Sequence, residues 1–363
     1  MIALLSLAVW VYLFVGHGGF WRSTPQLLPA TPTEFPDVDI IVPARDEAET
    51  VGEVVASLLA QDYTGRFRVI LVDDNSTDDT AASAGVAPNL QVVRLYAKPS
   101  GWSGKLWALH EGVAASRAPV VLFTDADIVH DRGHLSSLLA RLLSARLDLV
   151  SEMVRLNCSS FAERALVPAF VYFFQMLYPF ARVNDPRSAV AAAAGGTVLI
   201  RREALERIGG VEAIRNTLID DVALARAVKR GGAIFLGHSG LARSVRRYPA
   251  FIDMWRMISR TAFTQLRHSA WLLGLTIAGL TVVWLVPPWE LAFGRGWHRA
   301  CGLAACALAA ASFVPTLARY ERSKAWPLAL PLIALFYMAA TAASAVNYWR
   351  GKGASWKNRA YQR

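Results

Sequence analysis

The distribution of apolar residues constrains this chain more than any other feature, because long apolar blocks stand only at its two ends. One block covers residues 2–15, and three more lie late in the chain, at 270–286, 300–318 and 326–346. A helix needs about 20 predominantly apolar residues to cross a bilayer. We therefore predict a membrane anchor at 1–21, transmembrane helices at 270–349 and a globular domain at 36–248.

The charges around these blocks predict their orientation. No basic residue precedes the first block and Arg22 follows it, which favours a retained anchor over a cleaved signal peptide. The globular domain would then face the cytosol, in a multi-pass protein of the plasma (inner) membrane. Three later crossings would leave the basic tail at 350–363 outside, against the positive-inside tendency. One apolar block is therefore expected to be re-entrant or interfacial.

Two further segments are candidates for the membrane surface. Residues 165–183 carry six aromatic residues and two prolines, a composition that fits an interfacial segment or a buried core helix under the sheet. Residues 249–269 place Phe251, Met254 and Ile258 near one helical face and arginines elsewhere, which is typical of an amphipathic helix. This second segment is predicted to be an interfacial helix.

Net charge and cysteine content limit the partners of the chain. The 38 Lys and Arg residues exceed the 28 Asp and Glu residues, so the formal net charge is +10. The basic residues concentrate near the membrane blocks and no nucleic-acid recognition motif is present. We therefore predict an anionic lipid surface as a partner, contacted by the tail at 350–363, and no nucleic acid; a solvated tail is the alternative. The three cysteines have no metal-ligand or disulfide spacing.

The globular middle alternates between predicted strands and helices. The stretches VDIIVPA, FRVILVDD, LQVVRLY and PVVLFTDAD are short β-branched or apolar runs separated by segments of helical periodicity. This alternation predicts an α/β fold with a mostly parallel sheet covered on both faces. Ligands bind beyond the carboxyl ends of such strands, where the loops converge. The sequence has no Walker A loop and no G-x-G-x-x-G after the first strand, so acids must hold the ligand.

Three acidic pairs are candidates for that role: Asp73 with Asp74, Asp125 with Asp127, and Asp220 with Asp221. Each pair also has a purely structural explanation as a helix cap or an Asx turn. Residues two apart at the end of a strand point the same way, so Asp125 and Asp127 could hold Mg²⁺ or Mn²⁺. Three pairs converging on one cleft favour an enzyme site over three coincidences.

Several motifs together resemble those of family 2 inverting glycosyltransferases, which have the GT-A fold and use nucleotide-diphosphate sugars. They stand in the family's order over about residues 36–270 and read IIVPARDEAETV, ILVDDNSTDDT, GWSGKLWALHEG, TDAD, GGTVLIRREAL and LIDD. The N-terminal block, the three late blocks and GWSGKLWAL look most like the hopene-associated membrane glycosyltransferases, with ceramide glucosyltransferases as more distant relatives. The resemblance implies a Rossmann-like, mostly parallel GT-A sheet.

The resemblance also implies roles for single residues on the donor side. The nucleotide pocket would be lined by Pro43, Ala44, Glu47, Asp73 and Asp74, with Asp74 near the base. Asp125 would face the nucleotide sugar, Asp127 would bind the divalent metal (Mg²⁺ or Mn²⁺) on the diphosphate, and Lys105 would contact phosphate.

Further roles concern catalysis and the acceptor. Asp221 would be the catalytic base, with Asp220 in place of the family's usual Glu. In TQLRH, Arg267 would stabilise the leaving diphosphate with help from Gln265, although a snorkelling arginine at a helix end is equally compatible with the sequence. The acceptor wall is predicted to comprise Gly195, Gly196, Arg201 and Arg202.

The predicted activity is transfer of a sugar from a nucleotide-diphosphate sugar, expected to be a UDP-sugar, to a membrane lipid hydroxyl. Hopanoid or glycolipid biosynthesis would be the setting. The enzymatic alternatives are a polyprenyl-phosphate glycosyltransferase and a polysaccharide synthase. The non-enzymatic alternative is a membrane scaffold with an inactive transferase domain.

Overall fold

The computed structural model describes residues 1–351 and the backbone of two short strands beyond them. Eleven strands are present in this part of the chain: β1 Gln26–Leu27, β2 Val38–Ala44, β3 Phe67–Asp73, β4 Leu90–Arg94, β5 Val120–Thr124, β6 Ile128–His130, β7 Leu149–Arg155, β8 Thr197–Arg201, β9 Ile234–Ser244, β10 Ser355–Trp356 and β11 Arg359–Ala360. The predicted basic tail at 350–363 lies almost wholly outside the described residues.

The α-helices of the described residues are α1 Ile2–Val11, α2 Val51–Leu59, α3 Thr80–Ser83, α4 Gly104–Ala114, α5 His134–Ser144, α6 Phe161–Leu177, α7 Phe180–Asn184, α8 Arg202–Arg207, α9 Asp220–Lys229, α10 Phe251–Gln265, α11 Ala270–Leu280, α12 Val286–Phe293, α13 Trp297–Arg319 and α14 Leu330–Trp349. Two compact units result. The sheet unit comprises Thr24–Asn157 and Arg182–Arg247, together with β10 and β11, and the helical unit comprises Met1–Ser23, Cys158–Ala181 and residues 248–351.

The sheet unit is built on one mixed, mostly parallel sheet. Its order is β1-β9-β7-β8-β5-β2-β3-β4, with β6 paired to β9. The pairs joining β2, β3, β4 and β5 are parallel, whereas β8 runs antiparallel to both β5 and β7. Strand β2 is buried along its whole length, as expected for a strand covered on both faces. The predicted α/β class and mostly parallel sheet are confirmed.

The turn after β3 replaces most of a predicted helix. The sequence predicts a helix from about Thr77, but α3 contains only four residues. The side chain of Asp73 accepts hydrogen bonds from Ser76, and Asp46 accepts one of 2.7 Å from the Thr77 amide. Such local side-chain bonds offer the backbone an alternative to the helix. The acids of this stretch therefore shape a turn at the carboxyl end of β3.

Arg201 and Arg202 lie at the opposite edge of the sheet, which corrects their predicted place on the acceptor wall. Because β8 is antiparallel to β5, Arg201 pairs with Val120 at the beginning of β5. The Arg201 guanidinium donates to Leu147 O at 2.9 Å, and that of Arg202 donates to Ala118 O at 2.7 Å. Both arginines thus hold backbone at the amino edge of the central strands.

Asp39 is the centre of the polar cluster at this amino edge. Its buried carboxylate accepts hydrogen bonds from Arg68, from the Ser116 hydroxyl and from the amides of Arg117 and Ala118. Burial opposes ionisation, but these donors outweigh it and hold the pKa of Asp39 at about 2. A carboxylate with a lowered pKa stabilises the fold above its unfolded pKa of about 3.8, and this stabilisation is lost as the pH falls towards 2.

We expect Asp39→Asn to destabilise the chain by about 2 kcal/mol at neutral pH, since an amide cannot accept all four hydrogen bonds. The apparent melting temperature of the full chain in detergent, followed by tryptophan fluorescence, should fall at pH 7. Because both proteins lack the charge at low pH, the difference should shrink between pH 4 and pH 2. Asp79→Asn is the control, as the exposed Asp79 makes no side-chain capping bond to α3; equal melting temperatures for the Asp39 variant and the wild type would contradict this role.

Three helical segments of the helical unit are long and apolar enough to cross a membrane, among the described residues. They are Ala270–Phe293, Trp297–Arg319 and Trp326–Trp349, each of 23 or 24 residues. These segments match the three predicted late blocks and extend them at their ends. The first combines α11 and α12 through a π-helical turn at Thr281–Leu285.

The N-terminal apolar helix is shorter than the anchor predicted at 1–21. It runs over Ile2–Gly16, and 15 residues span only about 22 Å, less than the roughly 30 Å of a hydrocarbon core. Ser6 and Trp10 donate side-chain hydrogen bonds of 2.7 and 2.8 Å to the carbonyls of Val282 and Val283. The π-helical turn alters the local helical bonding, and these two donors satisfy carbonyls at that turn.

Helix α6 covers most of residues 165–183, the segment for which the sequence left two interpretations open. Most of its side chains are buried, and Tyr172 and Ser312 share a hydrogen bond of 2.7 Å. Tyr337 donates to the carbonyl of Leu166 at 2.9 Å. The burial of this segment therefore comes from α13 and α14 within the helical unit, whereas the second interpretation expected a core helix under the sheet.

Helix α10 coincides with the predicted amphipathic segment at 249–269. Met254, Ile258 and Phe263 are its buried residues, and Trp255 packs edge-to-face on Phe336 of α14. The buried face therefore contacts the last apolar helix. Its contact with a lipid surface stays a prediction.

Candidate active site

The carboxyl ends of the central strands border a cleft. Its floor is apolar, from Pro43, Phe123 and Leu106, while its charged lining comprises Lys105, Asp125, Asp220 and Asp221. These residues come from the ends of β2 and β5 and from the beginnings of α4 and α9. Two of the three predicted acidic pairs thus contribute to one cleft, which the topology of a parallel sheet favours.

Lys105 connects the acids of the cleft. Its ammonium lies 2.8 Å from Asp125 Oδ1 and 3.4 Å from Asp220 Oδ2. Burial alone would lower the pKa of Lys105, but the charges of Asp125 and Asp220 raise it above its ordinary value. Lys105 is therefore a permanent cation at neutral pH, held between Asp125 and Asp220.

The position of Lys105 follows from the local sequence. Ser103 caps α4, because its hydroxyl accepts the amide of Leu106 at 3.1 Å, and Lys105 therefore lies in the first turn. Capping by Ser is strongly preferred at this position. The GWSGK stretch thus sets where the ammonium enters the cleft.

Asp221 has the environment of a general base. Oδ2 accepts a 2.9 Å hydrogen bond from the amide of Gly195, and Oδ1 accepts one of 2.7 Å from the amide of Val222. Burial and the charge of Asp220 raise the pKa of Asp221 to about 7, with Lys105 and the two amides opposing the rise. A base with a pKa near neutrality is well matched to removing a proton from a hydroxyl.

Asp125 completes the charged wall of the cleft. Burial raises its pKa, Lys105 opposes that rise, and the charges of Asp127 and Asp220 add to it. These couplings show that Asp125, Asp127 and Asp220 feel one another's charge. The acidic residues of the cleft therefore form one electrostatic unit.

Gly195 and Gly196 occupy different surroundings. A Cβ at Gly195 would lie 3.2 Å from Asp221 Oδ2 and 3.5 Å from Lys105 Nζ, so a side chain there would crowd both groups. Gly196 instead faces Ile128 and Val154, and its carbonyl accepts the hydroxyl of Thr124 at 2.9 Å. Gly195 borders the cleft directly, whereas Gly196 anchors the backbone beside it.

The predicted nucleotide-side residues lie at the carboxyl ends of β2 and β3. Pro43 lines the cleft, and Ala44 pairs with Asp73 in the sheet. Asp74 is fully buried, and its carbonyl accepts a 2.5 Å hydrogen bond from Arg45. The Asp73 carboxylate is engaged by Ser76, as the Asx-turn alternative predicts. Their contact with a nucleotide stays a prediction.

Asp127, the predicted metal ligand, contacts Arg246, a residue that the sequence interpretation missed. Arg246 Nε donates to Asp127 Oδ2, and Arg246 Nη2 lies 2.6 Å from Glu47 Oε1. Arg246 follows β9 within the basic run RSVRRY. This run is the sequence signal that could have identified Arg246 as a candidate site residue. Arg246 connects Asp127 to Glu47, a residue of the predicted nucleotide wall.

The donor set fits a divalent metal that is shared with a ligand. The described residues contain no group of three or more His, Cys, Asp or Glu side chains able to hold a metal ion. Mg²⁺ in nucleotide sites commonly takes one or two carboxylates and completes its shell with phosphate oxygens and water. Asp127, with Asp125 electrostatically coupled to it, matches that requirement.

A buried polar chain beneath the cleft was also missed. Thr124 Oγ1 lies 3.0 Å from His130 Nε2, His130 Nδ1 lies 2.7 Å from His134 Nδ1, and His134 Nε2 lies 2.5 Å from Glu152 Oε1. Burial and the charge of His134 lower the pKa of His130 well below its usual value, so His130 is neutral. These polar contacts hold the side chain of Thr124, the residue before Asp125. The members of this polar chain are far apart in sequence, and nothing local pairs them.

Gln265 and Arg267 belong to the helical unit. Gln265 donates to the Tyr178 hydroxyl at 2.6 Å. Arg267 is exposed just beyond α10 and has a φ of 51°, and His268 has a φ of 55°. The His268 ring stacks on Tyr348 with centroids 4.2 Å apart. The roles predicted for Gln265 and Arg267 stay predictions.

Comparisons with known proteins agree on one family. The sequence model described as glycosyl transferase family 2 matches residues 39–209. A beta-monoglucosyldiacylglycerol synthase of Synechocystis sp. is 27% identical over 312 residues, or 70% of this chain and 62% of that protein. A dodecaprenyl-phosphate galacturonate synthase of Rhizobium johnstonii is 29% identical over 128 residues, or 33% of this chain and 36% of that protein. The chain thus spans less than two thirds of the length of these relatives.

A solved structure extends the similarity to the whole chain. A mannosyltransferase from Pyrobaculum calidifontis, in complex with GDP-Man and Mn²⁺, has a TM-score of 0.59 and 21% sequence identity. The match covers 97% of this chain and 99% of that chain. At this identity the similarity concerns the fold.

Proposed function

The chain carries a glycosyltransferase family 2 domain of the GT-A fold, and from this premise we propose that it transfers a sugar, with inversion, from a nucleotide-diphosphate sugar to a hydroxyl group of a membrane lipid. The expected donor is a UDP-sugar. The expected setting is hopanoid or glycolipid biosynthesis at the plasma membrane, with the sheet unit facing the cytosol and the basic segments near anionic lipid.

One observation carries this proposal: a partly buried cation and three carboxylates meet in a single cleft at the carboxyl edge of the sheet. Lys105 contacts Asp125 and Asp220, and Asp221 stands beside them with a pKa of about 7. A helix cap needs one acid and no lysine, so capping alone does not account for this arrangement. Perturbed ionisable groups in a cleft are typical of catalytic sites.

The chemistry assigned to these residues is a direct displacement. Asp221 accepts the proton of the acceptor hydroxyl, the hydroxyl oxygen forms a bond to the anomeric carbon, and the bond from that carbon to the diphosphate oxygen breaks. The nucleoside diphosphate leaves with the bonding electrons. Lys105 lies where it can contact the departing phosphates, and the amide of Gly195 keeps the Asp221 carboxylate oriented.

A divalent ion completes the donor site in this proposal, with Asp127 as its ligand and Asp125 next to it. When bound, the ion would supply positive charge to the diphosphate of the donor. Arg267, helped by Gln265, is proposed to stabilise the leaving diphosphate. Glu47, Asp73 and Asp74 are proposed to bound the nucleotide.

A lipid hydroxyl is preferred over a polyprenyl phosphate as the acceptor. The relative with the larger shared length is named a beta-monoglucosyldiacylglycerol synthase, and the long apolar helices would hold the enzyme at the bilayer that contains such a lipid. Arg201 and Arg202, the pair expected to meet an acceptor phosphate, lie at the opposite edge of the sheet. A polyprenyl-phosphate acceptor is the second candidate, because another relative is named for it.

The test is release of nucleoside diphosphate from UDP-sugars and GDP-sugars by the full chain in lipid extract, with Mn²⁺ or with EDTA. We expect metal-dependent release together with a new glycolipid that survives mild acid, as a sugar linked to a hydroxyl does. A product that mild acid hydrolyses would indicate a polyprenyl phosphate acceptor. Absence of release with every donor would support an inactive scaffold and refute the proposal.

A further inference from the structure

Arg246 has contacts that neither the proposed displacement nor the architecture of the sheet requires. Its guanidinium bridges Asp127 Oδ2 and Glu47 Oε1. Asp127 and Glu47 have side-chain exposures of only 10% and 12%, whereas that of Arg246 is 35%. The two acids are thus largely withdrawn from solvent, and the arginine covers them from the solvent side. Such a pair is not an ordinary surface ion pair.

The backbone around Arg246 is held without the guanidinium. The amide of Val245 donates to Asp127 O at 2.8 Å, and Ile128 pairs with Ser244 where β6 meets β9. These bonds already join the end of β9 to the Asp127 loop. The bridge to two carboxylates is therefore available for a role in ligand binding.

The bridge also competes with the proposed metal. A divalent ion held by Asp127 would bind its carboxylate, and the guanidinium already donates to one of the two oxygens of that carboxylate, Oδ2. Two cations at one carboxylate in a partly buried site repel strongly. A guanidinium fork also matches the geometry of phosphate oxygens. A nucleotide diphosphate would therefore offer Arg246 a replacement for the carboxylate that the metal takes.

We propose that Arg246 and the divalent ion are alternative partners of Asp127, and that Arg246 moves to the donor diphosphate when the ion binds. This inference rests on the proposed function, because it assigns a role within the same donor site. Without donor, the arginine neutralises Asp127 and Glu47 and weakens binding of metal alone. With donor present, metal and nucleotide bind together. Arg246 is thereby a residue that couples the two.

Binding measurements on the full chain in detergent micelles test this coupling without any transfer reaction. Free Mn²⁺ is titrated by electron paramagnetic resonance with no nucleotide present, and UDP and GDP are titrated separately by calorimetry at saturating Mn²⁺. We expect Arg246→Gln to bind Mn²⁺ about tenfold more tightly and to bind its preferred nucleoside diphosphate about tenfold more weakly. Wild-type or weaker Mn²⁺ binding by this variant would overturn the inference.

Two further variants make the test specific. Arg243→Gln is the matched control, since Arg243 lies three residues earlier and forms an exposed pair with Glu53; it should bind both probes as the wild type does. Arg246→Lys keeps the charge but loses the fork. It should lie between the wild type and Arg246→Gln in Mn²⁺ affinity, and it supplies the comparison if the glutamine variant does not fold.

The outcomes separate this inference from the proposed function. A wild-type chain that binds neither Mn²⁺ nor UDP nor GDP would refute both. A wild-type chain that binds the probes and transfers sugar, while Arg246→Gln shows unchanged Mn²⁺ affinity, would refute the role of Arg246 alone.

Discussion

Replacement of Asp221 by asparagine is expected to lower kcat for sugar transfer by about 10²–10⁴-fold, the usual contribution of a positioned general base. The asparagine side chain is nearly isosteric and its oxygen can still accept the amide of Gly195, which lies 2.9 Å from the carboxylate. The loss should therefore appear in kcat, with little change in the affinity for the nucleotide sugar. Initial rates of nucleoside diphosphate release, at saturating donor, measure it.

The pH dependence gives this prediction a second readout. Asp221 must be ionised to accept a proton, and burial together with Asp220 raises its pKa to about 7. Wild-type kcat should therefore rise with pH and reach a plateau above about 7. The residual activity of Asp221→Asn should lack that rise.

Asp185→Asn is the control for Asp221, because Asp185 pairs with Arg187 and does not line the cleft. This control should retain wild-type rates and the same pH profile. A wild-type profile that is flat from pH 5 to pH 8, or an Asp221→Asn enzyme with near-normal kcat, would exclude Asp221 as the base.

Replacement of Lys105 by methionine is expected to lower kcat/KM by about 10²–10³-fold, because it removes the cation that is proposed to contact the diphosphate. The ammonium contacts Asp125 at 2.8 Å and Asp220 at 3.4 Å. Lys105 also opposes the rise in the pKa of Asp221. The rising limb of the pH profile should therefore move to higher pH in Lys105→Met.

Lys105→Arg separates charge from exact position. The arginine variant keeps the cation, so its pH limb should stay close to that of the wild type even if its rate falls. Melting temperatures in detergent identify any variant that is simply unfolded. A Lys105→Met enzyme with an unshifted pH limb would show that Lys105 is not coupled to the base.

Local sequence patterns were sufficient to predict the central strands of the sheet and part of the candidate site. The apolar runs that end in Asp73 and Thr124 became β3 and β5, and their carboxyl ends lie at one edge because parallel strands share a direction. Helical spacing and the Ser103 cap placed Lys105 in the first turn of α4. Each of these features depends on residues within about ten positions, which a sequence displays directly.

The predicted acceptor wall is an example of what local sequence patterns cannot predict, namely the direction of a strand in the sheet. The stretch GGTVLIRR was expected to present both its glycines and its arginines to one cleft, but its strand β8 is antiparallel to β5. A five-residue strand is about 16 Å long, so only the glycine end reaches the carboxyl edge. The direction of β8 is decided by pairing with strands about 50 to 75 residues away, and no local propensity records it.

By itself, the sequence determined the α/β class, the three long apolar helices and the acids at the strand ends, because periodicity, length and turn chemistry are local properties. Only the tertiary structure decided that Arg246 covers Asp127, that His130, His134 and Glu152 support Thr124, and that Arg201 and Arg202 stabilise the opposite edge. These are contacts between residues distant along the chain or between groups oriented by strand direction. Such contacts form only when the strand order and strand directions of the whole sheet are established. Burial then determines which charged side chains face one another.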